Sequence, residues 1–283
     1  MAVLTYAHPD WLEDLLASLK RYGWPDMPVR VFRDGAPWEW VEEQTGPEYR
    51  RLCEEYDVPL QTLPQWRCIH GNAQQALESS PEDWVFLIQD DNMATPGCLV
   101  GVLAAWRACL ESAKSESLGI LMPPFWHVSD LMESGVVEDL GEARRRLNDI
   151  PINPGWGPQT SPRIYIGAHG SSMILRRKLW SDVGGFAKET WCFDEDISCK
   201  TWCYSPYDVF QVNGRPFVHG KPGIVGTRPQ PLHEFGLERG WIRAWKRTKA
   251  ECNLLQREAM ETVGGDGCLF ENVILRERGL LQC

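Results

Sequence analysis

The amino-terminal part of the chain alternates between short apolar runs and one amphipathic stretch. Residues 2–6 form a short apolar run of strand length, and residues 29–32 (Val-Arg-Val-Phe) form a second predicted strand. Between them, leucines recur at the spacing of a helix face. These leucines are Leu12, Leu15, Leu16 and Leu19. Asp10 and Glu13 have the spacing of a capping box at the helix start, and Gly23 predicts the helix end. The order strand, helix, strand predicts two parallel neighbouring strands.

An uninterrupted apolar run at residues 84–88 predicts a central parallel strand, because such a strand is covered on both faces. Further strands are predicted at residues 60–63, 118–122, 163–166 and 170–175, and helices at residues 48–56, 72–78 and 178–183, after Pro96-Gly97 and from Asp194. Residues 209–212 and 216–218 are predicted to pair with each other. We therefore expect an α/β protein whose mostly parallel central sheet is flanked by helices.

Residues 123–162 differ from the segments around them. They combine a Pro-Pro-Phe-Trp-His segment, three consecutive arginines at 144–146 and a loop rich in Pro, Gly and Trp. We interpret them as an insertion over the face that carries the functional site, not as a separate domain. A long amphipathic helix is predicted at residues 237–260. The predicted organisation is a main unit at residues 1–228 and a C-terminal helical extension at residues 229–283.

Two carboxylates follow the buried strand directly. In open α/β sheets, ligands bind beyond the carboxyl ends of the strands, and Asp90 and Asp91 lie at such an end. Adjacent carboxylates repel each other, and a hard divalent cation is one arrangement that stabilises them. An acidic turn that caps the following helix explains the same residues, so both interpretations stay open on the pair alone.

A second acidic group and a late histidine are further candidates. Glu195 and Asp196 lie at a predicted helix start, where a carboxylate either acts as a general base or complements the helix dipole. His219 ends an apolar run and precedes a glycine. A neutral imidazole there either completes a metal site or has a structural role.

The order of these features resembles that of the family-2-like GT-A glycosyltransferases. The shared order is a β-α-β start, an apolar strand ending in Asp-Asp, the segment Gly184-Gly185-Phe186, an acidic helix start and a strand-end histidine. The resemblance covers residues 2–225 and implies the Rossmann-like GT-A fold. It also implies transfer of a sugar from a nucleotide-diphosphate donor to a hydroxyl acceptor, with residues 123–162 as an insertion on the acceptor side.

The resemblance implies which residues contact the donor. Thr5 and Tyr6 occupy the place on the first strand that meets the nucleotide, and Asp34 matches the acidic residue that ends the second strand. Ser171 and Ser172 belong to the strand that forms the floor under the donor sugar and the acceptor.

The resemblance also implies a metal site and a base. Gln89-Asp90-Asp91 aligns with the metal-binding Asp-x-Asp motif, but its first position is Gln. The last carboxylate of this motif usually contacts the metal, so Asp91 is expected to bind it, and Asp90 is assigned to the donor. His219 matches a late metal ligand of the family, and Glu195 or Asp196 matches the base.

The net charge of −10 bears on the substrate, because an acidic protein does not attract anions through its overall field. A bound Mn²⁺ or Mg²⁺ ion is the expected solution for an anionic diphosphate. No segment approaches the roughly 20 apolar residues of a membrane span. The start of the chain lacks the pattern of a signal peptide, so we expect a cytoplasmic protein.

The sequence thus predicts a metal-dependent, inverting glycosyltransferase. A nucleotidyltransferase is the first alternative, but that class usually has a Gly-rich loop with a basic residue where this chain has Ala7-His8-Pro9-Asp10. A non-catalytic sugar-binding module on the same fold is the second alternative.

The acceptor is left open by the sequence. Trp241 and Trp245 share a face with basic residues on the predicted late helix. This face either packs on the core or forms an acceptor platform for nucleic acid or an anionic membrane surface. A glycan, a protein, a metabolite and a hydroxylated DNA base are all candidate acceptors, and the acidic charge argues against DNA.

Overall fold

The computed structural model describes residues 1–220 except 6–7, 36–38, 66, 113–114, 151–171, 187–192 and 213. The strands are β1 (Ala2–Thr5), β2 (Arg30–Arg33), β3 (Leu60–Thr62), β4 (Trp84–Gln89), β5 (Asn92–Ala94), β6 (Leu118–Met122), β7 (Phe125–His127), β8 (Ser172–Arg176), β9 (Asp208–Gln211) and β10 (Phe217–His219). The helices are α1 (Pro9–Tyr22), α2 (Glu39–Glu55), α3 (Cys68–Ser79), α4 (Cys98–Glu111), α5 (Val128–Glu133), α6 (Leu140–Arg145), α7 (Arg177–Asp182) and α8 (Phe193–Tyr204).

Seven of the described strands form one sheet in the order β3-β2-β1-β4-β8-β6-β9. β1 pairs in parallel with β2 and β4, and β6 pairs in parallel with β9. β8 is antiparallel to both β4 and β6. The predicted mostly parallel sheet is confirmed, and the 84–88 run lies in its centre.

Both faces of this sheet are buried by helices. Ala2 and Leu4 of β1 pack into a cluster with residues of α3 and α8. Val3, on the other face, packs into a cluster with residues of α1, α2 and α4. Because successive strand residues point to opposite faces, this arrangement explains why β1 and β4 are apolar at nearly every position.

A second, three-stranded sheet has the order β5-β10-β7. The predicted pairing of residues 209–212 with 216–218 is wrong, since β9 lies at the edge of the main sheet while β10 lies between β5 and β7. The physical reason is that each strand finds other hydrogen-bonding partners. β9 pairs with the free edge of β6, and β10 pairs with both β5 and β7. Both the backbone N–H and the hydroxyl of Thr95 donate to the Pro216 carbonyl, which attaches the chain to the small sheet before β10 begins.

The start of α1 differs from the predicted capping box. His8 is the N-cap and makes no side-chain cap bond, and Pro9 is the first helical residue. Proline suits this position because its missing N–H would have no partner there. Asp10 consequently lies inside the first turn rather than at the cap, whereas the predicted end at Gly23 is confirmed.

The insertion is described as far as residue 150. β7, which is an edge strand of the small sheet, lies within it, and so do α5 and α6. These two helices pack on the small sheet through Val128, Leu131 and Ala143. The predicted domain boundary at residue 228, the late helix and its Trp241 and Trp245 fall outside the described residues. Among the described helices, none has the length and apolar character that would let it cross a membrane.

Candidate functional site

The carboxyl ends of β1, β2 and β4 lie side by side and bring together the predicted residues Thr5, Asp34 and Asp90. The backbone N–H of Asp34 donates to the Thr5 carbonyl at 3.1 Å, and that of Asp90 donates to the Leu4 carbonyl at 3.0 Å. All three side chains are buried. This edge is where open α/β sheets bind ligands. Tyr6 falls outside the described residues.

Ser172 lies at the same edge because β8 runs antiparallel and begins there, with Ser172 paired to Ile88. Its hydroxyl donates to the Pro123 carbonyl at 3.3 Å. Ser171 falls outside the described residues.

The Asp34 side chain holds two loops together. Its Oδ1 accepts hydrogen bonds from the backbone N–H groups of Gly35 at 2.9 Å and Arg67 at 2.8 Å. At Gly35, a Cβ atom would lie 2.4 Å from the Gln65 carbonyl carbon, so only glycine allows this close approach. The carboxylate is therefore fixed at the rim by the backbone around it.

A chain of hydrogen bonds fixes Asp90. Thr5 Oγ1 lies 2.5 Å from Asp90 Oδ2 and 2.8 Å from the Tyr49 hydroxyl, which accepts from the His8 N–H at 2.9 Å. A threonine hydroxyl has one proton and a carboxylate only accepts, so Thr5 donates to Asp90 and Tyr49 donates to Thr5. Burial, and next the charge of Asp90, raise the pKa of Tyr49 far above its ordinary value, so this donor stays protonated.

We expect Tyr49→Phe to lower the free energy of unfolding by about 1–2 kcal/mol, because it removes a buried hydroxyl that bridges Thr5 and the His8 N–H. Urea denaturation of the wild type and the variant measures the difference. Tyr22→Phe is the matched control, since the Tyr22 hydroxyl is buried and hydrogen-bonds no described residue. Its stability should be unchanged or slightly higher. Equal losses in both variants would contradict a special role for Tyr49.

Asp91 and His219 meet where the small sheet joins the main one. His219 pairs in register with Asn92, and the Gly220 N–H donates to the Asp91 carbonyl at 2.9 Å. The two side chains consequently face each other, with His219 Nε2 3.2 Å from Asp91 Oδ2. Both are largely buried, with exposed fractions of 20% for His219 and 11% for Asp91.

The distance between these two side chains fits a shared divalent cation. Two adjacent ligands of an octahedral ion, each about 2.1 Å from it, lie about 3 Å apart. Within the described residues, no group of three or more His, Cys, Asp or Glu side chains is spaced to hold a metal. One or two protein ligands suffice when substrate phosphates supply the others, as is usual for Mg²⁺.

His127 lies beside the candidate metal ligand His219, and the sequence analysis did not single it out. Its Nδ1 lies 3.4 Å from Nδ1 of His219. Phe125 contacts both imidazoles, with ring centroids 4.9 Å from His127 and 4.5 Å from His219. The Pro-Pro-Phe-Trp-His segment contains this residue, and a histidine ending a short aromatic strand was the signal available.

Glu195 and Asp196 lie in the first turn of α8, and the described part of the chain includes their backbone but not their side chains. α8 is followed by β9, which begins beside the start of β6. A helix that leads into a strand by a short connection runs antiparallel to it, so the start of α8 lies toward the carboxyl edge of the sheet. The topology thus places both residues toward the edge that carries Thr5 and Asp90.

Within the described part of the chain, hollows lie at opposite edges of the sheet. A small cleft beside the acidic pair is bounded by Trp11, Asp91 and Gly220. A larger cavity at the amino ends of the strands is lined by Trp84 and Trp106. The cavity at the amino ends is the larger of the two. We nevertheless assign the candidate site to the cleft at the carboxyl ends, because the carboxyl ends of the strands bind ligands in open sheets.

No protein-family model matches the sequence, and no curated protein matches it either. Several solved structures match in fold. The mannosyltransferase PcManGT from Pyrobaculum calidifontis, in complex with GDP-Man and Mn²⁺, is 14% identical with a TM-score of 0.53, over 99% of this chain and 78% of that one. S. aureus TarS 1–349 in complex with UDP is 14% identical with a TM-score of 0.51, over 77% of this chain and 58% of that one. A mycobacterial protein is 13% identical with a TM-score of 0.51, over 88% and 73%.

The chain has the GT-A fold, as the sequence predicted. At these identities the likeness shows the fold alone. The match spans little more than half the length of the TarS structure solved with UDP.

Proposed function

We propose that this chain is a metal-dependent, inverting glycosyltransferase that uses a nucleotide-diphosphate sugar as donor. The observation that carries the proposal is the meeting of Asp91 and His219 at the carboxyl edge of a GT-A sheet, next to Asp90 and Thr5. Structures of the same fold that hold UDP, or GDP-Man with Mn²⁺, support it.

The donor would lie along the ends of β1, β2 and β4. Asp34 and Thr5 border the place for the nucleotide, and Ser172 borders the place for the sugar. Asp90 is the buried end of the Tyr49–Thr5 hydrogen-bond chain, so it gives this edge a fixed negative charge. A diphosphate is repelled from such an edge unless a cation offsets the charge.

Asp91 and His219 would hold Mn²⁺ or Mg²⁺, and the donor diphosphate would complete its coordination. When bound, such an ion offsets the negative charge that develops on the leaving diphosphate. Carboxylate and imidazole are both suitable ligands for Mn²⁺. The residues present therefore fit the group that the fold implies.

The transfer step needs a base on the acceptor side. Asp196 or Glu195, at the start of α8, would take the proton of the acceptor hydroxyl as its oxygen attacks the anomeric carbon. The bond from that carbon to the diphosphate oxygen breaks, and the nucleoside diphosphate leaves with the electron pair. Inversion follows because attack and departure occur on opposite faces of the sugar. The predicted acceptor is a hydroxyl group of a glycan, a protein, a metabolite or a hydroxylated DNA base.

A melting-temperature screen of UDP-, GDP-, ADP- and TDP-sugars, with Mn²⁺ or with EDTA, tests the proposal. A ligand at 100-fold its Kd stabilises the folded state by about 2.7 kcal/mol. That stabilisation corresponds to a rise in melting temperature of roughly 5 °C for a chain of this size. We expect this rise for at least one donor and only with Mn²⁺. The free nucleoside is the control and should give little rise, and a screen in which no donor acts would contradict the proposal.

A further inference from the structure

Asp91, His219 and His127 form one row across the small sheet, with Asp91 immediately before β5. β10 lies in the middle, with His219 in register with Asn92 on one side and with His127 on the other. The row is continuous at the level of the side chains. Asp91 Oδ2 faces His219 Nε2 at 3.2 Å, and His219 Nδ1 faces His127 Nδ1 at 3.4 Å.

The contact between the two imidazoles constrains their protons. A hydrogen bond between two ring nitrogens needs one N–H and one lone pair. If His219 gives the Nε2 lone pair to a cation, its single remaining ring proton is on Nδ1. That proton can then be donated to His127, whose Nδ1 has to be the acceptor. Metal-binding histidines almost always donate their second ring N–H to a carboxylate, a backbone carbonyl or water, which fixes both tautomer and ring orientation. At this site, the acceptor would be the ring nitrogen of His127.

The surroundings hold both rings in place. Phe125 lies edge-on to His127 with an interplanar angle of 90° and is tilted by 44° against His219. Gly220 adopts a φ of +80°, and a Cβ atom built on it would lie 4.0 Å from Nδ1 of His127. The neighbouring Trp126 takes no part, because it packs against a different cluster and stacks on Arg215.

We propose that His127 is a positioning residue that orients His219 for a divalent cation. This inference rests on the proposed function, because it assumes that Asp91 and His219 bind such an ion. His127 acts through the His219 imidazole rather than on the donor. The ligand class is a hard divalent cation, with Mn²⁺ as the probe.

The test is a Mn²⁺ titration followed by the electron paramagnetic resonance signal of free Mn²⁺, with saturating UDP or GDP and without nucleotide. His127→Leu lacks an acceptor, and we expect about 10- to 100-fold weaker Mn²⁺ binding, the range for lost support of a metal-binding histidine. His127→Asn places a carbonyl oxygen near the position of Nδ1, and its Kd should stay within about threefold of wild type. His127→Gln places its amide further out, so it should resemble the Leu variant and serves as readout if the latter fails to fold.

Trp126→Phe is the matched control, because it changes a large side chain on the other face of the same strand and should bind Mn²⁺ as wild type does. Wild-type affinity in the Leu and Gln variants would overturn the inference. Equal loss in the Asn, Gln and Leu variants would also overturn it, since the imidazole itself would then be required. If Asp91→Asn abolishes binding while His127→Leu does not, the inference fails and the proposed function stands. If the wild type binds no Mn²⁺ under any condition, both fail.

Discussion

Replacing Asp91 with alanine should lower the rate of sugar transfer by about 10³-fold or more. The variant loses the carboxylate ligand of the ion that offsets the charge on the leaving group. Such an ion lowers the activation barrier by several kcal/mol, and each 1.4 kcal/mol changes the rate about tenfold. Nucleotide binding should also lose most of its dependence on Mn²⁺. Release of nucleoside diphosphate from the donor identified by melting measures the rate, and circular dichroism verifies that the variant is folded.

Asp14→Asn is the control for the Asp91 experiment. Asp14 borders the same cleft on α1, but it forms an ion pair with Arg144 of the insertion. Partly exposed pairs contribute about 0–1 kcal/mol, so this variant should fold and retain activity within about threefold. Full activity in a folded Asp91→Ala protein would reject the metal role of Asp91.

The base should be revealed by comparing Asp196→Asn with Glu195→Gln. A general base contributes about 10²- to 10⁴-fold to the rate, so one of these variants should lose that much in kcat. The other should retain most activity, because a helix places consecutive side chains about 100° apart. Binding of the donor with Mn²⁺ should persist in both, since the base contacts the acceptor.

Asp194→Asn, in the same turn of α8, is the control for charge at the helix start. Its exposed fraction is intermediate, and removal of one acidic residue near the N-terminus costs about 0.3–1 kcal/mol in stability. We expect nearly full activity. If all three variants transfer sugar at the wild-type rate, the start of α8 does not supply the base.

The sequence was informative where the signal is local or follows from parallel topology. The run that becomes β4 is apolar because both faces of the sheet are covered, and it ends where Asp90 and Asp91 begin. Thr5, Asp34 and Asp90 could be grouped from the sequence, since parallel strands joined by crossovers end at one edge.

Features that depend on contacts between distant segments were not predictable. The contact between His127 and His219 depends on the register of β7 against β10, and the two residues are 92 positions apart. Tyr49 reaches Thr5 from α2 only after the helix packs on the sheet, and nothing around it in the sequence marks this role.

Local rules also failed at α2, which was predicted to begin at residue 48. It begins at Glu39 and continues through Pro47, although proline normally disrupts a helix interior. The buried Arg33 guanidinium contacts Glu42 at 2.6 Å and Thr45 at 3.0 Å, and it lies 4.7 Å from the Tyr49 ring centroid. These tertiary contacts stabilise turns on both sides of the proline, which propensity alone does not indicate.

The central claim is that a divalent cation binds the donor diphosphate to the acidic carboxyl edge of the main sheet. Melting temperatures measured with Mn²⁺ and with EDTA test this claim most directly. The account predicts that the nucleotide-sugar that binds raises the melting temperature with Mn²⁺ and has almost no effect in EDTA. An equal rise in both conditions would contradict the account, because the diphosphate would then be held without a cation.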